Sequence, residues 1–143
     1  MTGRPGSDRG HRFAPHTADI RIEAWAPTRE ACLAEAVTAL VASFADVTGA
    51  VPESLVTARI ASDCDTDLLV SVLDEVIYLL DTRAAVPVGA DFVPDPEGLG
   101  VRFHLIPVDR VPLVGPVPKA VTLQQPRLGR RPDGWSCSVT IDV

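Results

Sequence analysis

Three side chains able to do chemistry stand close together near the start of the sequence, in the run FAPHTADI over residues 13–20. They are His16, Thr17 and Asp19. An imidazole beside a carboxylate can act in general acid–base catalysis, and a carboxylate can also bind a hard divalent cation. A solvated aspartate is the plain alternative, because an exposed carboxylate requires no functional explanation.

A second carboxylate, Asp142, lies far along the chain. Polar and apolar residues alternate from Asp19 onward, which predicts a strand with Asp19 on its polar face. Residues 135–143 alternate in the same way and place Asp142 on the polar face of the last strand. If these strands are neighbours, two carboxylates lie together, with the main-chain or terminal oxygen of Val143 one residue away. Such an all-oxygen set selects Ca²⁺ or Mg²⁺.

Two helices are predicted from apolar residues at helical spacing. The first is capped by Thr28 and continues to Phe44, and the second follows the acidic stretch at 62–67. That stretch could suggest a calcium loop, but Leu68 and Asp74 stand where an EF-hand requires Gly and Glu. Its aspartates are therefore interpreted as the cap and first turn of the second helix, where negative charge is favourable.

Alternating stretches predict the strands, at 19–25, 56–61, 86–93, 101–106, 119–125 and 135–143. Residues 107–118 are predicted to form an irregular loop, because Pro and Gly interrupt them. The arginine-rich stretch 127–134 is interpreted as a solvated turn rather than an RNA site, and His104 as a solvated or hydrogen-bonded imidazole rather than a ligand. This order predicts an α+β fold, with two helices packed on one face of a mainly antiparallel sheet.

Composition places the chain among globular proteins with one core. It has 143 residues, of which 46% are hydrophobic and 22% charged, so residues 13–143 are expected to form a single domain after a disordered tail at 1–12. The net charge of −6 disfavours direct binding to a phosphate backbone. Three widely spaced cysteines argue against a disulfide framework and against zinc. The same cysteine usage predicts a reducing cytoplasm. No membrane association is expected, since no apolar run reaches membrane-spanning length.

Four motifs in order resemble the archease family. They are HTAD at 16–19, LDEVIYLLDT at 73–82, KAVT at 119–122 and the final Asp142-Val143. Together they span nearly the whole chain from Phe13. One departure follows KAVT, where the family usually has an aromatic residue and a histidine and this chain has Leu123-Gln124-Gln125.

The archease resemblance implies a strand-helix-strand-strand type of core and a role as protein cofactor, not enzyme. The partner would be an RtcB-type RNA ligase, which joins RNA ends in tRNA splicing and RNA repair, so that RNA is contacted only indirectly. The protein would promote guanylylation of that ligase by GTP and so allow multiple turnover. The resemblance also implies a calcium or magnesium site. Its residues would be Asp19, Asp142 and Val143, supported by His16, Thr17 and Lys119.

Two other classes of function stay open at this point. A small-molecule enzyme could use His16 and Asp19 as an acid–base pair, but the sequence contains no nucleophile motif and no glycine-rich phosphate loop. An acidic interaction module could dock a partner, or bind a small molecule, without a metal-dependent role. Turnover by the protein alone would indicate the enzyme, and a titration with Ca²⁺ or Mg²⁺ separates the module from the metal-binding activator.

Overall fold

The structure is a computed structural model that describes residues 8–15 and 19–143. Within these residues the chain forms eight strands, two α-helices and one 3₁₀ turn at Val108–Arg110. The helices are α1 (Arg29–Ala42) and α2 (Asp65–Arg83). The strands are β1 (Gly10–Pro15), β2 (Asp19–Ala26), β3 (Ser54–Ile60), β4 (Ala85–Asp95), β5 (Gly98–Pro107), β6 (Ala120–Val121), β7 (Arg127–Arg131) and β8 (Gly134–Asp142).

The strands form two antiparallel sheets rather than one. The larger sheet has the order β1-β2-β8-β6, with β7 also paired to β8, and the smaller sheet has the order β3-β5-β4. The predicted α+β class is confirmed. The predicted single sheet is wrong in detail, because alternation shows which residues face the core but not which strands pair.

Helix α1 joins the two sheets, since it packs against β2 of the larger one and β4 of the smaller one. Its predicted cap is confirmed: Thr28 Oγ1 accepts a hydrogen bond from the N–H of Ala31 at 3.1 Å. Its buried residues include Leu33, Val37 and Leu40, which belong to one core cluster with the apolar faces of both sheets. The helix therefore covers the apolar faces and leaves the polar face of β2 and β8 uncovered by helix.

Helix α2 packs against α1, β4 and β7. The Sγ atom of Cys64 caps it by accepting a hydrogen bond from the N–H of Asp67 at 3.5 Å, and Asp65 lies in its first turn. An ion pair of 2.9 Å between Arg29 and Asp65 ties the starts of the two helices together. The acidic stretch is thus a helix start, as predicted. Among the described residues, neither helix is long and apolar enough to cross a membrane.

Three boundaries differ from those predicted. Strand β1 begins at Gly10, so the last three residues of the predicted disordered tail are paired with β2. Residues 127–131, predicted as part of a turn, form β7, an edge strand whose arginines face solvent while Leu128 enters the core. The strand predicted at 119–125 is reduced to Ala120–Val121, and Gln125 adopts a positive φ of 54° that ends the extended conformation.

Candidate metal centre

The two predicted carboxylates lie directly across from each other. Strands β2 and β8 are antiparallel neighbours, and their register pairs Asp19 with Asp142 at the end of the ladder. The next pair is Ile20 with Ile141, both buried in the core. Because side chains alternate across a sheet, Asp19 and Asp142 both project from the polar face, opposite to the helices. The structure therefore brings together the two aspartates that the sequence only placed on matching faces.

Hydrogen bonds on the far side of β8 define the type of pair that the aspartates form. The carbonyl of Asp142 accepts from the N–H of Lys119 at 2.7 Å, and the carbonyl of Thr140 accepts from the N–H of Thr122 at 2.9 Å. The backbone groups of Asp142 thus point away from β2. Asp19 and Asp142 are consequently a non-hydrogen-bonded pair, in which Cα atoms are about 4.5 Å apart and the side chains come closest.

Neither carboxylate of this pair has an ion-pair partner among the described residues. Within residues 8–15 and 19–143, neither carboxylate forms an ion pair or a side-chain hydrogen bond. Asp142 is exposed and Asp19 is partly exposed, so both are accessible to an ion from solvent. Like charges directly opposite on neighbouring strands destabilise a sheet. A bound cation would remove that repulsion.

The other predicted site residues contribute in different ways. Val143 follows Asp142, and its side chain packs against the core, which holds its main chain next to the carboxylate pair. Lys119 is exposed and contributes its backbone N–H to Asp142, while its ammonium group forms no ion pair with a described residue. His16 and Thr17 lie outside the described residues. The predicted role of these two residues therefore stays a prediction.

A test of the donor set shows what a metal would need. No group of three or more His, Cys, Asp or Glu side chains able to hold a metal occurs in the described part of the chain. Among the described residues, Asp19 and Asp142 supply two carboxylates, and the main chain of Val143 and water can supply further oxygens. Ca²⁺ accepts such mixed oxygen sets, and Mg²⁺ usually keeps several waters beside one or two carboxylates. The residues present fit either ion as a shallow, water-completed site.

One further polar atom near the pair lacks a partner. The Oγ1 atom of Thr122 is buried and forms no hydrogen bond with any described residue. Thr122 lies opposite Thr140 and thus projects from the same face as Asp142, two residues further along the sheet. It belongs to the KAVT motif and precedes Leu123, whose side chain is 76% exposed. The departure from the family pattern therefore lies at the surface beside the candidate metal centre.

Two other polar features of the sequence have local partners. The His104 imidazole lies 2.7 Å from the Asp91 carboxylate on the neighbouring strand, which agrees with the interpretation of a hydrogen-bonded imidazole. The aspartates at the start of α2 act within the helix terminus. Neither feature adds a ligand to the carboxylate pair.

Sequence reasoning missed a pair of cysteines in the core. Cys32 of α1 donates its thiol to the carbonyl of Ala24 at 3.7 Å, and Ala24 is the register partner of Cys137. The hydrogen bond between the two thiols, together with burial, raises the pKa of Cys137 well above its ordinary value. Both groups are free thiols. The same hydrogen bond lowers the pKa of the Cys32 thiol. No spacing rule in the sequence would have found this buried pair.

Comparison with known proteins gives this geometry a context. The model of the Archease protein family (MTH1598/TM1083) matches residues 11–143. The chain is 47% identical over 143 residues to the probable protein archease of Mycobacterium tuberculosis, covering all of this chain and 80% of that protein. It is also 24% identical over 143 residues to the protein archease of Methanosarcina barkeri, covering 93% of this chain and 95% of that one.

Solved structures share the fold. The solution structure of Methanobacterium thermoautotrophicum protein 1598 superposes with a TM-score of 0.73 at 19% identity, covering 94% of this chain and 99% of that chain. The crystal structure of an archease from Thermotoga maritima, described as a possible chaperone, superposes with a TM-score of 0.60 at 18% identity, covering 91% and 94%. Family model, relatives and fold agree, and the chain belongs to the archease family.

Proposed function

We propose that this protein is a metal-binding activator of an RtcB-type RNA ligase. In this role it promotes guanylylation of the ligase by GTP and thereby multiple turnover in tRNA splicing and RNA repair. It acts as a protein cofactor and does not itself join RNA. Membership of the archease family supports the proposal, and the Asp19–Asp142 pair is the observation that carries it.

The residues of the pair have distinct tasks. The carboxylates of Asp19 and Asp142 would hold Ca²⁺ or Mg²⁺ together with the main-chain oxygen of Val143, and the N–H of Lys119 fixes the end of β8 that carries Asp142. When bound, the ion supplies positive charge for stabilising nucleotide phosphates at the partner's active site. The location at the exposed end of a strand pair suits this task, because a partner can approach it directly.

Charge favours a protein partner over RNA. The net charge of −6 opposes contacts with a phosphate backbone, so RNA is reached only through the ligase. Helix α2 also exposes Asp67, Asp74 and Asp81, whose spacing of seven residues places them along one side of the helix. This acidic stripe suits docking on a basic protein surface and would raise the rate of encounter.

The test is a guanylylation assay with a cognate ligase in excess over this protein. Labelled GTP is used, and guanylylated ligase is counted per molecule of activator. We expect many modified ligase molecules for each activator, because docking is transient. Asp142→Asn should abolish the effect. Asp109→Asn, which removes the same charge from an exposed 3₁₀ turn, should retain it.

Two results would overturn the proposal. One is full activation by a folded Asp142→Asn variant that no longer titrates with Ca²⁺ or Mg²⁺, which would indicate an interaction module without a metal-dependent role. The other is tight binding of RNA by the isolated protein at about 0.15 M salt with no effect on guanylylation, which would indicate direct RNA binding.

A further inference from the structure

A small depression lies on the polar face of the larger sheet, away from the carboxylate pair. Its volume is about 210 Å³, and it is lined by Arg12, Glu23, Trp25, Arg127, Arg131 and Ser136, together with Ala24 and Cys137. Along β8, Ser136 lies six residues from Asp142, which corresponds to about 20 Å in a strand. The depression is therefore separate from the candidate metal centre.

The register of four strands explains why a depression exists here. Gly129 of β7 pairs with Ser136 of β8, Ser136 pairs with Trp25 of β2, and Trp25 pairs with Gly10 of β1. The floor of the depression is thus formed by the Ser136 side chain and the Trp25 indole, which lie between Gly129 and Gly10. Gly10 is required for the indole to lie flat, since a Cβ atom there would come within 2.6 Å of the Trp25 ring. The indole fills the space over Gly10, whereas the absence of a side chain at Gly129 leaves room for a ligand.

Arginines surround this floor. Arg127 and Arg131 stand two residues before and two residues after Gly129 on β7, so all three share one face of the strand. Arg127 Nη1 donates to Ser136 Oγ at 3.2 Å, which directs the guanidinium over the floor. Arg12 closes the opposite side, where it forms an ion pair of 2.5 Å with Glu23.

The two arginines of β7 differ from most others in the chain. Six arginines are ion-paired with carboxylates, namely Arg9, Arg12, Arg21, Arg29, Arg59 and Arg110. By contrast, Arg127 and Arg131 have no carboxylate partner in the described part of the chain. Three arginines and one glutamate give the depression a local charge of +2 in a protein whose net charge is −6. Guanidinium groups form bidentate hydrogen bonds with phosphate oxygens.

We infer that this depression is a binding site for a phosphoryl dianion. Arg127 and Arg131 supply the charge-assisted hydrogen bonds, and the Ser136 hydroxyl supplies one more from the floor. The volume is smaller than the range typical of sites that enclose a drug-sized ligand, so the phosphoryl group is held and the rest of a larger ligand stays outside. The indole is 9% exposed, which leaves little ring surface for stacking on a base.

The inference is tested by titrating the protein with inorganic phosphate, adenosine monophosphate and adenosine. Low ionic strength avoids screening, and EDTA excludes a metal-bridged contact at the aspartate pair. Binding is followed by calorimetry and by the amide NMR signals of Gly129 and Ser136. We expect saturable binding of phosphate and of the monophosphate at similar affinity, and none of adenosine.

Matched variants distinguish a specific phosphate site from general electrostatic attraction of phosphate to the protein surface. Arg127→Gln and Arg131→Gln should each weaken phosphate binding about tenfold or more, because each removes a charge-assisted hydrogen bond. Arg102→Gln, which removes the same charge from an exposed position in the smaller sheet, should change the affinity less than about twofold. Gly129→Val keeps every charge but fills the floor, and no close backbone contact opposes it. This variant should abolish binding while the protein stays folded.

Three results would overturn the inference. The first is the absence of saturable binding of either phosphate ligand up to about 10 mM, a concentration at which even millimolar affinity is measurable. The second is equal weakening by Arg102→Gln and Arg127→Gln, which would indicate unspecific attraction. The third is unchanged phosphate binding in Gly129→Val, which would place the anion elsewhere on the surface.

Discussion

Asp142→Asn should stabilise the protein in the absence of a metal and destabilise it in the presence of one. The reason is that Asp142 faces Asp19 across a non-hydrogen-bonded pair, and neither carboxylate has an ion-pair partner among the described residues. Two unit charges about 5 Å apart repel each other by about 1 kcal/mol in water and about 3 kcal/mol at an effective dielectric constant of about 20. Asp142 is exposed, so the lower value applies. Without metal, the variant should melt about 4 °C above the parent.

Calcium should reverse this order. At a free concentration of about 100 times the dissociation constant, binding stabilises the parent by about 2.7 kcal/mol. The variant has lost one ligand and should gain much less. Because it starts about 1 kcal/mol more stable, the parent becomes the more stable protein by at most about 1.7 kcal/mol. The measurement is thermal unfolding by circular dichroism, in EDTA and in a Ca²⁺ or Mg²⁺ series.

Two comparisons make this test specific. Asp109→Asn controls for the general loss of one negative charge, and its melting temperature should change little in either buffer. Added NaCl at about 0.5 M should shrink the difference measured in EDTA, because salt screens exposed charges. The reasoning fails if Asp142→Asn is less stable than the parent in EDTA, or if Ca²⁺ raises both melting temperatures equally.

Three further predictions concern stability and use the same unfolding measurement. Cys64→Ser should stabilise the protein by about 0.5–1 kcal/mol, because a hydroxyl caps α2 better than a sulfur at 3.5 Å, and no gain would contradict this. Gly134→Ala should lower the free energy of unfolding by at least about 2 kcal/mol, since φ is 142° and the new Cβ would lie 2.6 Å from the Ala26 carbonyl oxygen. Gly89→Ala is the control, because open space surrounds Gly89. Desolvation raises the pKa of Asp74, which stabilises the folded state only while the carboxyl is protonated, so this stabilisation is lost as pH rises through that pKa. Asp74→Asn should therefore raise the melting temperature at pH 7 but not below about pH 3. An equal change in melting temperature at both pH values would refute desolvation as the cause.

The starts of both helices could be predicted from the sequence, whereas their ends differ by about two residues from those predicted. At the start of α1, Thr28 supplies a capping side chain and an apolar stripe begins directly after it. Both local signals indicate the same helix start. Strand β7 could not be predicted, because Arg127 and Arg131 flanking Gly129 suggest a turn when only composition is considered. An edge strand needs few apolar residues, and here Leu128 alone reaches the core. Edge strands are held by pairing, which a single sequence does not encode locally.

The sequence predicted the candidate metal centre only on the condition that β2 and β8 are neighbours. Alternation placed Asp19 and Asp142 on polar faces, but it could not show that β2 and β8 are neighbours. The phosphoryl site was out of reach altogether, because its floor depends on register across four strands. Gly129 and Gly10 are unremarkable residues in the sequence, and they acquire a role only when Ser136 and Trp25 lie between them.

The position of β8 has a consequence for how the protein is made. This strand is the last one in chain order, yet it lies between β2 on one side and both β6 and β7 on the other. During translation, the edge of β2 that pairs with β8 therefore stays unpaired until β8 has left the ribosome. The smaller sheet, by contrast, can assemble as soon as β5 has emerged. We expect the nascent larger sheet to be the stage most exposed to chaperones and to wrong pairing.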